Sequence, residues 1–180
     1  AEAVSTIMNN GENIKPSTIT KIEFLDGREP IIVDPEVKEL LSPGAAYLTT
    51  ELMKHAVSGP NAGFLAPTRR PYPVFGKTGT HQWDKTRAAE LGIPKGAAQN
   101  RNMITATDRF SMATWVGFDK HETKDHYLNN RITSMNLPGN LNSYFLDLLA
   151  NEYGPGKEIA RPDDVVEITH IKGPFPYQRP

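Results

Sequence analysis

The sequence predicts an α+β fold, an antiparallel sheet flanked by helices. Three patterns carry that prediction. Residues 42–57 and 140–153 place apolar side chains at helical spacing. Residues 14–25 alternate and run into Asp26-Gly27, a strong hairpin signal. Residues 102–108 and 110–118 read as two neighbouring strands joined at Asp108-Arg109.

Taken in order, residues 1–10 end a helix at Asn9-Asn10-Gly11, where a glycine suits the C-terminal cap. The alternating stretch from Ile14 and its return strand at residues 31–33 form a ribbon with no catalytic group. Ser42-Pro43 opens the next helix with an N-cap and a proline at its first position. His55 sits on that helix as a lone histidine without a placed partner, which makes it a surface or structural residue. Residues 58–63 form a loop, and residues 64–72 lead to a strand at Pro73-Val74-Phe75-Gly76-Lys77-Thr78-Gly79-Thr80. A long polar and small-residue loop then runs to Asn100, with His81 and Trp83 at its start. Trp115 is expected in the core. The helix over residues 140–153 is stopped by Gly154-Pro155. A short strand is expected at residues 165–168, inside a proline-rich tail or linker covering residues 161–180.

Composition narrows the function classes. The chain has 180 residues, enough for one domain with a real core. A net charge of −1 offers no electrostatic case for nucleic acid or an acidic membrane surface. No apolar run approaches the ~18 residues of a membrane span, and the N-terminus does not resemble a signal peptide. Without an initiator Met, the chain is expected to begin inside something longer. Zero cysteines exclude disulfides and thiol catalysis. The pair His121 and His126, with Glu122 and Asp125 between them, invites a metal reading. Their spacing puts the histidines on different faces of a helix, so a solvated loop is preferred and no metal or other cofactor is expected.

The stretch around Lys77 carries the chemistry. Alternation puts Thr78 and Thr80 on one face of a strand, where two hydroxyls can each donate a hydrogen bond to one carboxylate. Gly79 between them allows close backbone approach by a ligand or a packed neighbour. Lys77 adds a positive charge suited to an anionic substrate, although strict alternation turns it to the other face. Gly76-Lys77-Thr78 also ends like a phosphate-binding loop. That loop needs a glycine where the chain has Pro71, and prolines lack the N–H groups that cradle phosphate, so it is rejected.

Lys77-Thr78-Gly79-Thr80, preceded by Arg69-Arg-Pro-Tyr-Pro-Val-Phe-Gly76 and followed by Trp115-Val-Gly-Phe-Asp119, resembles the transpeptidase domain of penicillin-binding proteins. The likeness is greatest to the bifunctional, membrane-anchored kind that builds peptidoglycan. It covers roughly residues 1–160, the C-terminal portion of such a domain. The resemblance implies a serine-type D-Ala-D-Ala transpeptidase, working through an acyl-enzyme and trapped by β-lactam antibiotics. Lys77 and Thr80 would then be catalytic, the Thr80 N–H being one oxyanion-hole donor. Thr78, Gly79, Thr80 and His81 would bind the carboxylate end of a D-Ala-D-Ala stem peptide. It also implies an extracytoplasmic location, anchored to a bacterial membrane through a segment outside this chain.

One departure limits the reading. The family's nucleophile is a serine with lysine three residues on, and none of serines 5, 17, 42, 58, 111, 134 and 143 has that lysine. Thr18 and Thr169 do, with Lys21 and Lys172, but in unrelated places. Ser134-Met135-Asn136 matches a second family element, yet lies after Lys77 rather than before it and is read as chance. The expected fold is therefore a partial transpeptidase fold, lacking the helical segment with the nucleophile. The chain alone is expected to be inactive, with the upstream part of the same domain as its partner. The alternatives are a non-catalytic peptide- or carboxylate-binding module and a purely structural fragment.

Overall fold

The structure, a computed structural model, describes residues 1–120 and 123–169. Its centre is a three-stranded antiparallel sheet in the order β5-β6-β7, formed by Phe75–Gln82, Ala98–Ala106 and Ser111–Gly117. The chain reaches that sheet through a short helix α1 (Glu2–Met8) and a ribbon. The ribbon has two separate ladders, β1 (Glu12–Ile14) with β4 (Val37–Glu39) and β2 (Lys21–Ile22) with β3 (Ile31–Ile32). A single long hairpin was expected here. Pro16, Pro30 and Pro35 cannot donate to a ladder, which splits the pairing into short pieces. Between β1 and the turn before it, Asn10 (φ 54°) and Gly11 (φ 90°) adopt left-handed backbone. A Cβ at Gly11 would sit 2.0 Å from the Leu41 carbonyl oxygen, so the two ribbon ends close only around glycine.

Helix α2 (Pro43–Ser58) follows the predicted cap, with the Ala45 N–H donating to Ser42 Oγ at 3.4 Å. A 3₁₀ turn (Gly63–Thr68) then leads into β5. Neighbouring residues Val74 and Phe75 point to opposite faces and start two cores. Val74 joins Val57, Leu65, Met103 and Leu146, whereas Phe75 joins Val4, Met53 and Ala106. Helix α2 therefore supplies a residue to each core and covers the start of β5. Gly76 is where that packing is tightest: a Cβ there would lie 2.8 Å from both Val57 Cγ2 and Leu65 Cδ2.

The expected loop after β5 contains a helix, α3 (Lys85–Leu91). Asp84 caps it by accepting from the N–H groups of Thr86 (3.0 Å) and Arg87 (3.1 Å). Gly92 ends it in left-handed backbone at φ 66°. After β7 come α4 (Asn130–Ser134) and α5 (Leu137–Tyr153). Helix α5 lies on the Met103 face of the sheet. Its fully buried Asn142 donates to the Met103 carbonyl at 3.4 Å and accepts from Thr114 Oγ1, so the helix is tied to the sheet by polar as well as apolar contact.

Two further expectations are corrected. Residues 165–168 form no strand, and Val166 and Ile168 are exposed without a ladder partner. Trp115 is 48% exposed rather than core. It lies on β7, the edge strand of the three-stranded sheet, and its ring folds over Gly117.

The Gly76 contacts predict a contrast within one strand. Gly76→Ala is expected to lower stability by about 1–3 kcal/mol through overpacking, whereas Gly79→Ala, whose Cβ would meet only Asn102 at 3.4 Å, leaves it unchanged. Urea midpoints of the two variants check this.

Candidate functional site

Among the described residues strand β5 pairs only with β6, and its other edge carries no strand. The edge is covered near Phe75 and Gly76 and opens from Lys77 onward, where residues change from buried to half-buried and exposed. The open part holds Lys77, Thr78, Gly79, Thr80 and His81 in consecutive positions.

Register fixes their faces. Thr78 stands opposite Met103 and Thr80 opposite Arg101, on the face toward α5. Lys77 stands opposite Ile104 and Gly79 opposite Asn102, on the other face. The alternation expected from sequence therefore holds, and Lys77 begins on the side away from the threonines. Its stem folds back, however, and Nζ donates to the Thr78 carbonyl at 2.9 Å. The ammonium thus sits at the level of the strand backbone. Among the described residues no carboxylate pairs with it. The Thr78 and Thr80 hydroxyls make no hydrogen bond within the described chain. His81 is exposed at the end of the strand, where the register with β6 shifts between His81 and Gln82.

Arg101, not singled out from the sequence, is the buried charge nearest in register to this site. It is 8% exposed, its guanidinium lies 3.7 Å from the Phe64 ring centroid, and Nη1 donates to the Thr133 carbonyl at 2.7 Å. Burial pulls its pKa below the ordinary arginine value, although the group stays charged at neutral pH. No acid faces it among the described residues. Nothing in sequence marked it, because an arginine inside a strand pattern reads as an outward-facing residue.

Other candidates are accounted for locally. Ser134 Oγ donates to the Arg131 carbonyl at 2.8 Å and Asn136 Nδ2 to the Phe64 carbonyl at 2.8 Å, so that Ser-x-Asn string serves helix ends. His126 stacks on Phe118 at 4.9 Å and its Nδ1 lies 2.7 Å from the Lys120 carbonyl oxygen. His121 and Glu122 lie outside the described residues. Among the described residues no cluster could hold a metal ion.

Comparison with known proteins assigns the family. The family model "Penicillin binding protein transpeptidase domain" matches residues 1–132. The chain belongs to the penicillin-binding protein transpeptidase family. It is 29% identical, over 98% of its length, to penicillin-binding protein 1A/1B of Bacillus subtilis, covering 18% of that protein. It is 27% identical over 99% of its length to penicillin-binding protein 1A of Clostridium botulinum, covering 19% of that protein. The chain thus spans under a fifth of these relatives. The fold matches the structure of the penicillin-binding protein PonA1 from Mycobacterium tuberculosis, with a TM-score of 0.57 and 16% identity over 93% of this chain and 44% of that one. The mixed helix and antiparallel-sheet architecture agrees with the α+β expectation.

The Arg101 geometry gives a stability prediction. Arg101→Lys is expected to cost about 1–3 kcal/mol, because an ammonium loses the planar stack on Phe64 and the directed bond to Thr133. Lys77→Ala, at an exposed position, is expected to change stability by less than about 0.5 kcal/mol. Thermal melts of the two variants distinguish these outcomes.

Proposed function

We propose that this chain is the sheet-bearing portion of a peptidoglycan D,D-transpeptidase, whose serine nucleophile comes from an upstream segment of the same domain. In this reading Thr78 and Thr80 donate hydrogen bonds to the terminal carboxylate of a D-Ala-D-Ala stem peptide or a β-lactam. The Thr80 N–H stabilises the oxyanion that forms as the serine oxygen attacks the carbonyl. Lys77 supplies positive charge beside the reacting groups, and Gly79 and His81 border the bound peptide. The acyl group then passes to an amine of a neighbouring stem peptide, or stays on the serine when the donor was a β-lactam. The parent protein works outside the cytoplasm, held to the membrane by a segment beyond this chain. None of the described helices is long and apolar enough to cross a membrane. In this reading residues 161–180 are a proline-rich tail or linker to the transpeptidase portion.

One observation carries the reading. The chain has an open strand edge with two hydroxyls that make no hydrogen bond among the described residues, a cation with no carboxylate partner among them, and a glycine that its own neighbours do not require. At Gly76 an added Cβ would push on the Val57 and Leu65 side chains at 2.8 Å, whereas at Gly79 it would make ordinary contact with Asn102 alone. A glycine unneeded by the fold is accounted for when something from outside approaches the backbone there. Family membership supports the same chemistry.

Intact-mass spectrometry after exposure to a fluorescent penicillin tests it, on this chain and on the full gene product. A penicilloyl adduct is expected on the full product only. Thr78→Val and Thr80→Val are each expected to slow acylation about 10- to 100-fold, the loss of one hydrogen bond to a charged group. Gly79→Ala is expected to slow it without loss of stability. An unlabelled full product sinks the proposal in favour of a reversible carboxylate-binding module. An adduct on this chain alone means that one of its own hydroxyls reacts.

A further inference from the structure

After α5 the chain turns back onto the domain. Residues 154–164 form neither helix nor strand, yet they are fixed at successive points. Arg109 donates to the carbonyls of Tyr153, Gly154 and Pro155. Gly156 lies against the entry to β5: a Cβ there would be 3.1 Å from both the Pro73 carbonyl oxygen and Thr107 Cβ. The Lys157 N–H donates to Asp108 Oδ1 at 2.9 Å. Glu158 pairs with Lys54 of α2 at 2.9 Å, and Ile159 packs on the core that holds Phe75 and Met53. Asp164 reaches the first turn of α2, where a Cβ on the buried Gly44 would stand 2.6 Å from its Oδ2. A carboxylate there meets the positive end of the helix dipole. Lys54 and Gly44 are roughly 15 Å apart along the helix, a span that extended chain from 158 to 164 covers. The stretch therefore runs back along α2 to its N-terminus.

These holds differ in kind from those of the cores. Ile159 is half-buried, the Glu158 side chain is 65% exposed in its ion pair, and Lys157 and Asp164 are exposed. Exposed ion pairs hold weakly, and a stretch without a ladder opens before the fold around it does. What the stretch touches is firm by contrast. Pro73 leads directly into Val74 and Phe75, and Phe75 is fully buried at the start of β5. The stretch lies outside residues 1–132, which the family model matches, and the transpeptidase reading makes no use of it.

We propose that residues 155–164 are a detachable strap that couples the chain beyond them to the open edge of β5. Seated, the strap backs Pro73 and Phe75, so that Thr78 and Thr80 further along the strand keep their positions. Displacing the tail lifts Glu158 and Ile159, loosens the start of β5 and slows chemistry at its open end. Gly156 and Ile159 are positioning residues that act through Pro73 and Phe75 and touch no substrate.

Variants of the full gene product test it. Gly156→Val pushes the strap off Pro73, Ile159→Ala removes its apolar anchor, and Gly44→Cys with Asp164→Cys ties it down. A Cβ at Gly44 would stand 3.0 Å from Asp164 Cγ, the place a sulfur would take, which suits a disulfide. Trypsin cleavage between Lys157 and Glu158, followed by mass, is read together with hydrogen exchange over residues 75–80. Gly156→Val and Ile159→Ala are each expected to speed both about tenfold, and Ile159→Val to leave them near the wild type. Penicillin acylation is expected to slow roughly two- to tenfold in the first two variants. The oxidised cysteine pair is expected to slow cleavage and exchange below the wild type, and reduction to restore them. The proposal is overturned if cleavage speeds while exchange over residues 75–80 or acylation stays at the wild-type value, or if the oxidised pair leaves cleavage unchanged. A protein that takes no penicillin in any form removes the transpeptidase reading, and cleavage and exchange then decide the strap by themselves.

Discussion

Helix C-termini leave carbonyl groups without partners, and in this chain arginines from the sheet side meet them. Arg69 donates from Nε to the Val57 carbonyl at 2.8 Å and from Nη2 to the Gly59 carbonyl, at the end of α2. Arg101 reaches Thr133 in the last turn of α4. Arg109, in the β6–β7 turn, reaches Tyr153 at 2.6 Å and Gly154 at 2.8 Å at the end of α5. Arg70 completes the set by pairing with Asp147 at 2.8 Å and donating to the Ser143 carbonyl at 2.6 Å, both on α5. The Arg69-Arg70 pair thus holds the approach to β5 between two helices. Five guanidinium donors in a planar fork do this better than an ammonium. The position of the open strand edge follows from these bonds as much as from the apolar cores.

The two cores then divide the labour. Val74 and Phe75 anchor the beginning of β5 on both faces, so the strand is rigid before it becomes exposed. A site on such a strand is held in geometry by residues that never touch a ligand. Arg101 belongs to this support: it faces Thr80 across the ladder while packed between Phe64 and Thr133.

Much of this was legible in the sequence, and the gaps have physical reasons. Ser42-Pro43 and Gly154 announced the ends of α2 and α5, because caps are local chemistry. The strand through Lys77 and the hairpin of β6 and β7 were legible from alternation and the turn at Asp108-Arg109. Helix α3 was missed although Asp84 and Gly92 are proper caps, since its seven residues bury nothing and show no apolar stripe. The ribbon was read as one hairpin because alternation does not show where proline removes a donor. Trp115 was placed in the core because residue type was weighed without knowing that β7 is an edge. Of the site, the residue types and their alternation could be read, but the fold-back of the Lys77 ammonium onto the next carbonyl is a side-chain conformation that alternation does not show, and the burial of Arg101 depends on tertiary neighbours.

The open edge of β5 also bears on how the molecule behaves in a crowd. An unpaired strand offers its backbone to any other strand, which is how sheets recruit neighbours into aggregates. Here the start of the edge lies under α2, a lysine follows at position 77, and the register shift at His81/Gln82 twists the far end away. Charge and irregularity of this kind are the usual guards on such edges. The residues that open this edge are therefore the same ones that keep a second copy of the strand from settling there.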